Sequence, residues 1–173
     1  MLSTRLKVKQ LGFSLAELMV GVLILGILAA VAMPNFTAWM RNTEIRNAAE
    51  SVLNGMQRAR AEAVSRNTNV AFQLGTGSSW SVATVVPASA VESRSSSEGS
   101  KSVTLTVTPI GATTITFNNF GMIVANADAS AAITQLDFVA NGGNKNMRVT
   151  VGAGGNVRMC DPNVSSTTSP TGC

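Results

Sequence analysis

Glu17 is the residue whose placement asks most of its surroundings. It is the one ionisable side chain in an apolar run over residues 12–33, GFSLAELMVGVLILGILAAVAM. A charged side chain in hydrocarbon costs roughly 2.5–3.5 kcal/mol on insertion scales, so this acid calls for a cationic partner. Near the other end of the chain, Cys160 and Cys173 form an even pair around a Ser-, Thr- and Pro-rich stretch. In an oxidising compartment such a pair reads as a disulfide, and otherwise as two free thiols. Lys145, Arg148 and Arg158 follow one another with no acidic residue between them. Such a cluster either meets several phosphates in a weak, salt-sensitive way or simply solvates a hairpin. Asp128, Asp137 and Asp161 are scattered without metal-ligand spacing, and there is no histidine. The usual general base near neutral pH and the commonest metal ligand are therefore missing. Cys160 has no histidine to activate it. No enzyme, cofactor or metal site is expected.

These groups need elements to hold them. Residues 13–33 make 21 positions, about 32 Å of helix at about 1.5 Å per residue, enough to cross a bilayer. Arg5, Lys7 and Lys9 precede the run, and the positive-inside rule keeps that end cytoplasmic. The rest of the chain then lies outside the cytoplasmic membrane. Beyond Pro34, where a bend is permitted, Ile45, Ala48, Ala49, Val52, Met56, Ala59 and Ala63 recur at three- and four-residue steps. They predict one long helix to about residue 66, its second half laying a small-residue face on a sheet. Arg41, Glu44, Asn47, Glu50, Asn54, Arg58 and Glu62 take the other faces. From residue 69 onward NVAFQL, WSVATVV, SVTLTVT, TTITF, TQLDFVA, MRVTVG and NVRMC predict strands, with NGGNKN and AGGN as connections. Residues 87–101, rich in serine, are expected to be an exposed, mobile loop. Trp39 suits an interfacial anchor and Trp80 a packing role. The predicted fold class is α+β: a long N-terminal helix, membrane-buried in its first half, packed on an antiparallel β-sheet.

The basic leader, Gly12, Phe13, Glu17 at the fifth position after the glycine, the uninterrupted apolar span and Pro34 together resemble the N-terminus of type IV pilins and pseudopilins. Ordinary secretory signals are cut after their apolar region, whereas here the glycine comes before it. The resemblance implies that a prepilin peptidase cuts after Gly12 and N-methylates Phe13, and that the anchor stays with the mature chain. Glu17 would then neutralise the Phe13 amine of an adjacent subunit. The implied organisation is a leader over 1–12, a membrane and filament-core helix over 13–33, its amphipathic continuation over 34–66 and a periplasmic β-rich domain over 67–173. The stretches ITFNNFGMI and MRVTVGAGGNVRMCDP are similar to the sheet region of minor pilins and pseudopilins of the FimU, FimT and GspH type.

That group implies a structural function. The chain is expected to be a minor pilin, placed near the tip of a type IV pilus, that primes assembly with other major and minor pilins. The alternative is a GspH-type pseudopilin of type II secretion. Such pseudopilins commonly lack a C-terminal disulfide loop, so Cys160 and Cys173 favour the pilus. Some FimT-like proteins bind DNA in natural transformation through C-terminal basic residues, for which Lys145, Arg148 and Arg158 are the candidates here. Against that use, glycine-arginine variants of the last hairpin are replaced here by Gly155-Asn156, and Asp161 sits beside the cluster. The formal charge of +4 also falls once the leader is gone, to ten Lys and Arg against nine Asp and Glu. The overall field of the mature chain is too small to draw nucleic acid strongly.

Overall fold

A computed structural model of the chain describes residues 12–173; the leader cations Arg5, Lys7 and Lys9 lie outside the described residues. Helix α1 (Leu15–Ser65) begins in one compact unit, which ends at Phe36, and finishes in a second, Thr37–Cys173. In the first unit the helix carries Pro34 within it. Its large apolar side chains are exposed, from Phe13 through Leu18, Leu23 and Leu28 to Met33. This part of α1 is long and apolar enough to cross a membrane.

In the second unit the helical periodicity decides which face is buried. All seven positions of the small apolar face, Ile45, Ala48, Ala49, Val52, Met56, Ala59 and Ala63, are fully buried. Gly55 extends that face, because a Cβ there would lie 2.9 Å from both the Phe72 and Trp80 rings. The helix thus approaches the sheet more closely than a larger residue would permit. Polar latches fix its position along the sheet. Trp80 Nε1 donates to Ser51 Oγ (2.8 Å), Arg60 Nε to the Gly121 carbonyl (2.9 Å), and Asn42 Oδ1 accepts from the backbone of Asn144 and Lys145 (3.0 and 3.1 Å). On the outer faces Arg46–Glu50 and Arg58–Glu62 pair one turn apart. Arg66 binds Glu62 as well and, chiefly by that hydrogen bond, holds its carboxyl below the usual carboxylate range.

Two antiparallel sheets receive this helix, where one sheet is predicted. The first is built from β1 (Val70–Leu74), β2 (Trp80–Thr84), β3 (Ser89–Arg94), β5 (Thr114–Phe117) and β6 (Ile123–Val124), in the order β3-β2-β1-β5-β6. The second contains β4 (Val103–Thr108), β7 (Gln135–Ala140), β8 (Met147–Val151) and β9 (Val157–Cys160), in the order β4-β7-β8-β9. Alternate residues face inward, as period-two side chains must. Phe72, Phe117 and Phe138 from three of these strands meet Ile45, Met56, Ile115 and Leu136 in one fully buried core. The sheets are stitched by a parallel bridge between Thr114 and Ala132 and by the Ile133 amide on the Thr114 carbonyl (3.1 Å).

The segment 87–101, expected to be an exposed, mobile loop, is largely exposed but contains a strand. The strand is β3, antiparallel to β2, with turn on both sides, at 87–88 and 96–99. The sequence SAVESR hides this strand because it lies at a sheet edge with four of its six residues exposed, so apolar alternation is nearly absent. The connections NGGNKN and AGGN do join β7 to β8 and β8 to β9.

Candidate assembly sites

At the N-terminus the residues that matter are contiguous. Ser14 Oγ accepts the Glu17 amide (3.2 Å), while Glu17 Oε2 accepts the Ser14 amide (2.9 Å) and faces the Ser14 hydroxyl (3.0 Å). This is a capping box: each side chain satisfies an amide left orphaned at the start of a helix. Its signature, Ser-x-x-Glu over residues 14–17, stands in the sequence, but the cost of an acid in an apolar run draws attention first. Glu17 therefore has a local task inside its own subunit. It uses a single oxygen for that task, which leaves carboxylate acceptor capacity for a neighbour. Gly12 and Phe13 precede the helix, Phe13 is 89% exposed, and a side chain at Gly12 would meet nothing within 4 Å. No other described residue covers Gly12 or Phe13.

The C-terminal hairpin lies in the second unit. Cys160, buried at the end of β9, is disulfide-bonded to Cys173. Inside the loop so closed, Asp161 and Thr171 pair through the backbone (2.8 Å), and Asp161 and Gly172 form a parallel bridge. Arg158 Nη2 donates to the carbonyls of Pro170 and Gly172 (3.0 and 2.8 Å). Arg148 stands opposite Asp137 in the β7–β8 register and binds it with both ends of its fork (2.6 and 3.3 Å). Register also places Arg158 opposite Thr150, on the same sheet face as Arg148. Lys145 is exposed just before β8, its backbone amide held by Asn42. Two of the three candidate cations are thus engaged by groups of their own fold. Sequence reading alone misses the Asp137–Arg148 pair, since the two residues are neighbours only across strands.

A covalent closure separated by 13 positions contributes on the order of 3 kcal/mol in the chain-entropy model. Cys160→Ser is expected to lower stability by up to about that amount, and to open residues 161–172 to proteases while β8 and β9 persist. Limited proteolysis with and without reductant, followed by peptide mass, checks this.

The two stretches that carry the sheet resemblance meet in space. Gly121, from ITFNNFGMI, and Gly155, from the last hairpin, both take left-handed φ values of 73° and 78°. A Cβ on Gly155 would lie 2.3 Å from the Gly121 carbonyl oxygen, the same oxygen that Arg60 binds. Loop, hairpin and helix are therefore locked at one point that only glycine fits.

Comparison with known proteins agrees with this arrangement. The family model described as "Type II transport protein GspH" matches residues 48–168, and that described as "Prokaryotic N-terminal methylation motif" matches residues 7–33. Two crystal structures of the type IV minor pilin FimU of Pseudomonas aeruginosa share the fold. The one in space group P21 is 19% identical, covers 69% of this chain and 92% of that one, and has a TM-score of 0.52. The one in P65 is 18% identical, covers 68% and 96%, and has a TM-score of 0.50. An N-terminal methylation motif leading into an exposed apolar helix, followed by a GspH domain over most of the remainder, places this chain in the GspH family.

Proposed function

We propose that this protein is a minor pilin that enters a type IV pilus near its tip and primes assembly. Prepilin peptidase removes residues 1–12 and methylates the new N-terminal Phe13. The chain then waits in the inner membrane, spanning it with residues 13–33, and its β-rich domain lies on the periplasmic side. On assembly the span exchanges lipid for the helices of other pilins, with Pro34 allowing the helix to bend as it is drawn in.

The observation that carries this reading is the exposed apolar helix interrupted only by Glu17. Lipid tails are as apolar as leucine, so moving such a helix from bilayer to filament gains packing but little desolvation. Direction and register must come from the single charge, and the Phe13 amine of an adjacent subunit lies four residues before an equivalent Glu17. The pilus is favoured over a secretion pseudopilus by the closed Cys160–Cys173 loop. DNA capture is not part of the proposal, because Arg148 and Arg158 already bind Asp137 and the C-terminal loop.

Deleting the gene and measuring the major pilin in sheared surface filaments, beside a complemented strain, tests the priming role. A collapse of surface pilin restored by complementation is expected. Unchanged piliation together with lost type II secretion would transfer the chain to the secretion machine.

A further inference from the structure

The two sheets have four edges, and three of them are guarded. Strand β3 carries Glu92 and Arg94 and pairs with β2 through a register shift at Val82 and Ala83. Strand β6 is two residues long. The C-terminal loop folds back beside β9 through the Asp161–Gly172 bridge and the bonds of Arg158. Charges, bulges, short strands and covering loops are the devices by which proteins keep strand edges from pairing with other chains. Strand β4, Val-Thr-Leu-Thr-Val-Thr, has none of them. It is six residues long, uncharged and free of proline. Its pairing with β7 runs unbroken from Val103↔Ala140 to Thr108↔Gln135, and it is the terminal strand of its sheet. Among the described residues no other strand pairs with it. Thr104, Thr106 and Thr108 are exposed.

Its sequence points to one occupant. Residues 103–107 read Val-Thr-Leu-Thr-Val in either direction. We infer that β4 is a self-pairing edge, joining its equivalent in a second copy of this chain as an antiparallel pair centred on Leu105. In that register Leu105 meets Leu105, Thr104 meets Thr106 and Val103 meets Val107. Each face of the combined sheet keeps its character, and cross-strand threonine and β-branched pairs are favourable ones. Pairing centred on a residue sets odd positions against odd and even against even. The outward-pointing amides and carbonyls of one copy therefore meet those of the other, whichever set points outward, with the Val103 amide already held by the Ser100 carbonyl (3.2 Å). Charge is compatible as well, since Lys101 falls opposite Pro109 and not opposite its own copy. The contact is isologous and closed, so it yields a discrete dimer and not a polymer.

The full-length Thr104→Cys/Thr106→Cys variant, oxidised mildly in membranes, tests this. Both positions are exposed, and peptide mapping of the Cys160–Cys173 bond verifies the fold in the same sample. Self-pairing is expected to give a covalent dimer linked from position 104 of one copy to position 106 of the other. Its yield should be about tenfold greater than that of Ser89→Cys/Ser93→Cys on the guarded edge β3. Thr104→Lys/Thr106→Lys sets like charges face to face and is expected to lower the dimer fraction in amine-independent cross-linking by about tenfold. Equal yields from the two edges, adducts only to a different protein, or an undiminished dimer in the lysine variant would overturn the inference.

Discussion

Replacing Glu17 by glutamine is expected to leave the chain in the membrane at normal levels and to remove it almost entirely from filaments. The two tasks of this side chain predict different outcomes for different substitutions. Glutamine serves the capping box with Ser14 as well as glutamate does, so the start of α1 persists. What it loses is the charge, and with it, under the proposed assembly, compensation for the Phe13 amine of an adjacent subunit. Leaving a charge unpaired in an apolar surround costs about 3–5 kcal/mol, which corresponds to roughly a hundredfold or greater loss of incorporation. Glu17→Ala removes the cap as well, a further effect of about 1 kcal/mol on the helix start. It should therefore be no better than glutamine in filaments. Quantifying the chain in membranes and in sheared filaments separates these effects. If the glutamine variant enters filaments normally while alanine does not, capping is the function of Glu17 and the intersubunit pair is wrong.

Gly155→Ala is expected to be the most destabilising single-methyl change in the folded unit. The left-handed backbone at φ 78° costs an alanine roughly 1–2 kcal/mol. The new methyl would also meet the Gly121 carbonyl oxygen at 2.3 Å. That oxygen belongs to backbone tied to Arg60, so relief requires the loop to move and the 2.9 Å bond to break. Overpacking of this kind adds roughly 1–3 kcal/mol, for a total of about 3 kcal/mol, or about a 10 °C fall in unfolding temperature at this chain length. Gly121→Ala is the internal comparison. It pays a similar conformational cost, but its Cβ would meet the Arg60 side chain at 2.9 Å, and that side chain can swing aside. Thermal unfolding of the two variants should rank Gly155→Ala as the worse. The reverse order would mean that the hairpin yields more readily than its contacts imply.

Some of this architecture is legible in residues and some is not, for physical reasons. The helix face is readable because burial recurs with the helical period, and Ile45 through Ala63 are all found inside. The apolar first half of α1 is readable because its run of large apolar residues is long enough for a membrane-spanning helix. Seven strands stand out by their β-branched and aromatic content, yet their division between two sheets does not. That division depends on β5 choosing β1 and β4 choosing β7, partners distant along the chain. Strand β6 escapes notice because two residues carry no periodicity, and β3 because an exposed edge needs none. The cations Arg148 and Arg158 look available in sequence because their partners, Asp137 and the carbonyls of Pro170 and Gly172, become neighbours only through register and loop closure. The contact of Gly121 with Gly155 is hidden for the same reason.

The most direct test of the account is the mass of this chain's N-terminal peptide recovered from sheared surface filaments. A peptide that begins at Phe13 and carries a single methyl group is the predicted result, because processing, anchoring and incorporation must all have occurred to place it there. A chain abundant in the inner membrane but absent from filaments, or one that still carries any of residues 1–12, would contradict it.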